Sequence, residues 1–185
     1  MGCLSFVCQQ SPKLTVHPNP GLLYPNLPYI VDQRDGKTVK MTEHLPIIRY
    51  LARKHGLYPK TEEELIVAEQ TESFMFDIRF RFYRVAYDDK TYEESKAEWL
   101  EVTRKKLPYL NDLLGKHEYV TGSLSYVDIL LYDFSLLIGA FEPALLQENP
   151  NLARHLKTID SLPQIQNYKA GKGKGACRSK GFRPF

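Results

Sequence analysis

The sequence predicts an α+β chain: a β-hairpin followed by one helix, then an all-helical bundle of about five helices. Three observations predict it. "PYIVD" and "TVKMT" are two short β-prone runs separated by the turn signal "DGK". Two stretches of more than twenty residues, from Glu62 and from Tyr92, carry helical periodicity. "YVDILLYDFSLLIG" is apolar nearly all round, as expected of a helix at the centre of a bundle.

In chain order, residues 1–20 show no clear periodicity. "CLSFV" is a candidate for one strand, and "SPKLTVHPNPG" has the composition of a loop. The hairpin follows. "EHLPIIRYLARKHG" then reads as a helix beginning at Thr42 or Glu43. Pro46 is tolerable there because first-turn amides lack intrahelical partners. Arg53, Lys54 and His55 suit the negative end of the helix dipole, and Gly56 suits the residue that ends it. "LYPKT" is a linker.

The helix from Glu62 to about Tyr87 has two apolar faces. Phe76, Phe80, Tyr83 and Tyr87 make one; Phe74, Ile78, Phe82 and Val85 make the other. Gln70, Ser73, Asp77, Arg81 and Arg84 form a polar stripe between them. Two apolar faces predict packing on two sides, and hence a homodimer. The next helix, about Tyr92 to Leu114, is expected to bend at Pro108. Ser125 and Asp128 fit a capping box, with Leu124 and Ile129 as its staple. Two shorter helices follow, around Leu152 to Ser161 and Gln164 to Tyr168. The organisation expected is a divergent or disordered segment 1–20, an α/β remnant 21–56, a helical domain 62–168 and a flexible basic tail 169–185.

The 185 residues, 43% of them hydrophobic, suffice for one substantial core or two small ones. No run of about 18 apolar residues occurs, so no membrane span is expected. Met-Gly-Cys at the start hints at acylation, but that motif calls for Ser or Thr where Phe6 stands. Cys3, Cys8 and Cys177 have no metal-binding or disulfide spacing, and a cytoplasmic setting is expected. The formal charge is +3, but Lys169, Lys172, Lys174, Arg178, Lys180 and Arg183 supply it. Without those six, 19 basic residues face 22 acidic ones. The body is mildly acidic, and no nucleic-acid partner is expected.

Four segments carry a family resemblance: "GLLYPNLPYIVD", "IIRYLARKHGL", "YRVAYDD" and "EYVTGSLSYVDILLYD". In this order they resemble the cytosolic glutathione transferases, the mu class most closely. The resemblance implies a thioredoxin-like piece followed by the family's helical C-terminal domain, and conjugation of the glutathione thiol to electrophilic small molecules in detoxification. It implies glutathione as co-substrate, hydrophobic electrophiles as the second substrate, and no cofactor or metal. It makes Leu27–Pro28 a cis bond and assigns Asn26, Leu27 and Pro28 to the cysteinyl part of glutathione. Glu43 and His44 fall at the γ-glutamyl position, where the family has Gln-Ser. Asp77 matches an aspartate that reaches glutathione in the partner subunit; the plainer reading is an i,i+4 pair with Arg81. Tyr87 matches a tyrosine on the electrophile side; the plainer reading is a core aromatic.

The family's thiol-activating tyrosine stands on the first strand of a βαβ unit. A βαβ unit needs about 30 residues; only twenty precede Gly21, and none is tyrosine. No catalytic residue is therefore expected to be retained, and Ser5 or Cys3 is not supported as a substitute by its spacing. A weakly active transferase and a non-catalytic binding or dimerisation module both remain open.

Overall fold

The structure is a computed structural model and describes residues 4–6, 21–34, 36–87 and 91–172. The chain divides into two compact units between Tyr58 and Pro59.

The first unit is a three-stranded antiparallel sheet with one helix. Strands β1 (Leu4–Phe6), β2 (Tyr29–Arg34) and β3 (Lys37–Thr42) lie in the order β1-β2-β3. β2 and β3 are the predicted hairpin. Arg34 pairs with Lys37, and Gly36 between them adopts φ 75°, which glycine reaches without steric cost. β1 is the candidate strand within "CLSFV"; Phe6 pairs with Ile30 and Leu4 with Asp32. The hairpin expected from sequence is thus part of a larger sheet. Residues 1–3 and 7–20, with Cys3 and Cys8, lie outside the described residues.

Helix α1 (His44–His55) buries Ile47 and Ala52 and ends on Gly56 in the left-handed conformation. Asp32 on β2 is buried. Its carboxylate accepts hydrogen bonds from Tyr50 Oη at 2.6 Å and Lys54 Nζ at 2.5 Å, both on α1. Tyr50 and Lys54 are four residues apart, so one helix face supplies both donors. A carboxylate taken out of water needs such partners, and here they tie helix to sheet.

The second unit is all-helical: α2 (Glu62–Tyr87), α3 (Tyr92–Lys116), α4 (Tyr126–Phe141), α5 (Ala144–Gln147), α6 (Pro150–Asp160) and α7 (Pro163–Lys172). α3 continues through Pro108 without interruption. The short α5 leaves no periodic signal in the sequence, because four residues are too few to show one. α7 runs to Lys172, so Lys169, expected in a flexible tail, stands on a helix.

The core lies around α4, where Val127, Leu131 and Ile138 are fully buried, together with Ala68 and Ile78 of α2 and Leu107 and Leu114 of α3. Trp99, Phe82 and Phe141 meet edge to face at 5.0–5.3 Å between ring centroids. The Trp99 indole N–H donates to the carbonyl of Ile78 at 3.0 Å. α4 is not enclosed all round as expected. Leu136 is exposed, and Asp133 pairs with Arg79 at the surface at 2.6 Å.

The two apolar faces of α2 part company. Ile78, Phe82 and Val85 are buried, and Phe74 is half-buried against the edge of Tyr109. Phe76, Phe80, Tyr83 and Tyr87 are 43%, 62%, 48% and 75% exposed. The reading of Tyr87 as a core aromatic is therefore wrong: the bundle is closed by the other face. No helix among the described residues is long and apolar enough to cross a membrane.

Candidate functional site

The loop Gly21–Pro28 leads into β2 and lies beside the start of α1. Asn26 joins the two segments, its amide Nδ2 donating to Glu43 Oε1 at 3.0 Å. The Leu27–Pro28 bond is cis. The Leu27 N–H, which the resemblance assigns to a ligand, instead donates to Asn26 Oδ1 at 2.9 Å. A ligand pairing with that N–H would have to turn the Asn26 side chain aside first.

Glu43 has φ 69° and is the one non-glycine with positive φ among the described residues. Such a conformation costs of order 1–3 kcal/mol for a side-chain-bearing residue, and clusters at functional sites. Its carbonyl accepts the first helical bond, from Ile47 N–H at 3.1 Å. Its carboxylate makes no capping bond and goes to Asn26 instead. The first-turn amides of α1 thus have no side-chain acceptor from the capping residue, and Pro46 contributes no N–H. His44, the first helical residue, is exposed. Asn26, Leu27, Pro28, Glu43 and His44 therefore belong to the loop and helix start of one unit.

Asp77 and Tyr87 stand on α2 in the other unit. They are ten residues apart, about 15 Å along the axis, so no small functional group touches both. The expected ion pair from Asp77 to Arg81 is present at 3.4 Å. A second cation, Lys106 of α3, hydrogen-bonds the same carboxylate and holds its pKa below the usual range, with Arg81 adding to the effect. Lys106 escapes sequence reading because it lies 29 residues from Asp77. It also sits over the Phe74 ring at 5.1 Å. Asp77 lines a cleft of about 350 Å³ between α2 and α3, together with Phe80, Arg81, Arg84, Glu98 and Trp99. Tyr87 ends α2, its ring packed on Tyr83 at 6.1 Å. No group of three His, Cys, Asp or Glu side chains among the described residues is placed to hold a metal ion.

Residues 76–172 match the family described as Glutathione S-transferase, C-terminal domain. The chain is 36% identical over 149 residues to Glutathione S-transferase Mu 1 of Bos taurus, covering 80% of this chain and 66% of that protein. It is 38% identical over 149 residues to Glutathione S-transferase B of Cavia porcellus, covering 80% and 66%. It is 36% identical over 151 residues to the class-mu 26 kDa isozyme 51 of Fasciola hepatica, covering 81% and 67%. The chain thus spans about two thirds of the length of the curated relatives it matches. Among solved structures it is similar to the glutathione S-transferase Blo t 8, with a TM-score of 0.72 and 32% identity over 82% of this chain and 71% of that one. The helical bundle and these matches together place the chain in the glutathione S-transferase family.

Proposed function

We propose that this chain binds reduced glutathione at the Asn26–Pro28 loop and the start of α1, and that its role is to join the glutathione thiol to electrophilic small molecules. The observation that carries the reading is the Asn26–Glu43 hydrogen bond, which holds loop and helix start together as one polar surface. In this reading Asn26, Leu27 and Pro28 face the cysteinyl part. The first-turn amides of α1 face the γ-glutamyl carboxylate, which a helix N-terminus favours. Glu43 and His44 flank that carboxylate, Asp77 serves glutathione across a dimer, and Tyr87 lies on the electrophile side. Similarity to proteins named as mu-class transferases supports the assignment.

Titration calorimetry of the chain with glutathione tests it. Glu43 sets a negative charge near the incoming carboxylate, and the Asn26 hydrogen bond does not remove that charge. Weak binding is expected, and Glu43→Gln should tighten it by two- to fivefold, the equivalent of roughly 0.3–1 kcal/mol for a charge at a helix N-terminus. Equal affinities for both proteins would remove Glu43 from the site. No binding by either would remove the glutathione reading and favour a non-catalytic module.

A homodimer is proposed alongside, motivated by the face of α2 formed by Phe76, Phe80, Tyr83 and Tyr87. Those four rings form a continuous ladder with centroids 6.1–6.2 Å apart and remain substantially exposed. Exposed aromatic patches mark interaction surfaces. Sedimentation at micromolar concentration is expected to show a species of twice the 21.4 kDa chain mass. A single species at 21.4 kDa would sink the proposal.

A further inference from the structure

α7 is attached to the bundle unlike the other long helices of its unit. α6 sinks Leu152 and Ile159 completely, and α4 sinks most of its length. From Pro163 to Ala170 no residue of α7 is buried; Ile165 is half-buried and Tyr168 is exposed. Among the described residues, its side-chain hydrogen bonds converge on one residue at the end of α6. Gln166 Nε2 donates to the Asp160 carbonyl at 2.6 Å and reaches Oδ2 at 3.3 Å. Lys169 Nζ donates to Oδ1 at 2.8 Å. From the bundle side, Tyr132 Oη of α4 donates to the same Oδ1 at 2.5 Å. Asp160 thus receives donors from both α4 and α7, and its side chain is 33% exposed.

We propose that α7 is a detachable strap and Asp160 its clasp, with the Lys169 charge holding it closed. Apolar burial normally holds a helix to its domain, because isolated helices of this length are marginal in water. With little burial, α7 depends on charge-assisted hydrogen bonds, which are stronger than neutral ones. The Lys169–Asp160 bond weakens in salt and loses its charge assistance when either charge is removed. Tyr132 fixes the clasp to the bundle: burial first, and the bond to Asp160 second, push its pKa up to about 12, so it remains a donor at neutral pH. Opening the clasp frees the ten residues of α7. These then continue into a sequence carrying Lys174, Arg178, Lys180 and Arg183.

Hydrogen exchange read by mass spectrometry on the full chain at pH 7 tests this, with the wild type, Asp160→Asn, Lys169→Gln and Lys169→Arg. Amides of α7 are expected to exchange at least tenfold faster in Asp160→Asn and several-fold faster in Lys169→Gln. Lys169→Arg should behave as wild type, and 0.5 M salt should speed α7 in the wild type. Amides of α4 and α6 should not change in any of them. Unchanged α7 exchange in both Asp160→Asn and Lys169→Gln overturns the proposal. So does acceleration of α4 and α6 in step with α7, which would make these residues ordinary contributors to global stability. Lys169→Gln lies at the surface, so it decides the matter even if Asp160→Asn does not fold.

Discussion

Asp128→Ala is expected to destabilise the helical unit by about 3–5 kcal/mol, the range found when one partner of a buried charged network is removed. Asp128 is fully buried at the start of α4. Its Oδ2 accepts the Ser125 N–H at 2.9 Å and the Ser125 hydroxyl at 3.0 Å. Its Oδ1 accepts the Val120 N–H at 2.8 Å and hydrogen-bonds His155 Nε2 at 3.0 Å. Because the other three partners are donors to a carboxylate, Nε2 is the protonated nitrogen of His155. Alanine removes the cap, worth about 1 kcal/mol. It also leaves the Val120 N–H and the His155 Nε2–H buried without acceptors, at about 1–3 kcal/mol each. His155 Nδ1 already has no partner among the described residues, so the ring would be left with none at either nitrogen. Thermal unfolding should fall by roughly 8–15 °C for a chain of this size. A fall of less than about 2 °C would mean that water reaches these groups and the network is not closed.

Conjugation of a chloronitrobenzene substrate by the purified 185-residue chain is expected to be about 10²–10³-fold slower than by a full-length mu-class relative. The resemblance places the thiol-activating tyrosine on the family's first strand. No tyrosine occurs before Tyr24 in this chain. A thiol near its ordinary pKa of about 8.5 is only a few per cent thiolate at pH 7. Loss of one positioned stabilising donor costs about 10²–10³ in rate. Turnover within tenfold of the relative would show that another group performs this task. The measurement is independent of the calorimetry: glutathione can bind at Asn26–Pro28 and α1 without its thiol being activated.

The aromatic face of α2 and the Asp77 cleft bear differently on that chemistry. Asp77 is engaged by Lys106 and Arg81 of its own chain. To serve glutathione across a dimer it would have to share a carboxylate whose strongest partner is already in place. Among the described residues Tyr87 has no such ion pair. It is 75% exposed, and its packing on Tyr83 makes the aromatic ladder continuous with it.

Features held within one or two turns of chain were legible from the residues alone. The extent of α2 follows from its apolar period. The reciprocal bonds of Ser125 and Asp128 follow from their three-residue spacing. The Asp77–Arg81 pair follows from i,i+4 geometry. Each of these interactions is set by backbone geometry that the local sequence itself specifies, so spacing suffices to read it. Tertiary structure decided the rest. Asp128 meets His155 across 27 residues, Asp77 meets Lys106 across 29, and Asp32 meets Lys54 across 22. Packing alone sets those separations. The same holds for α2, whose two apolar faces look equivalent in sequence. Trp99 and Phe141 close on Phe82, so that side is buried and the ladder from Phe76 to Tyr87 is left facing outward.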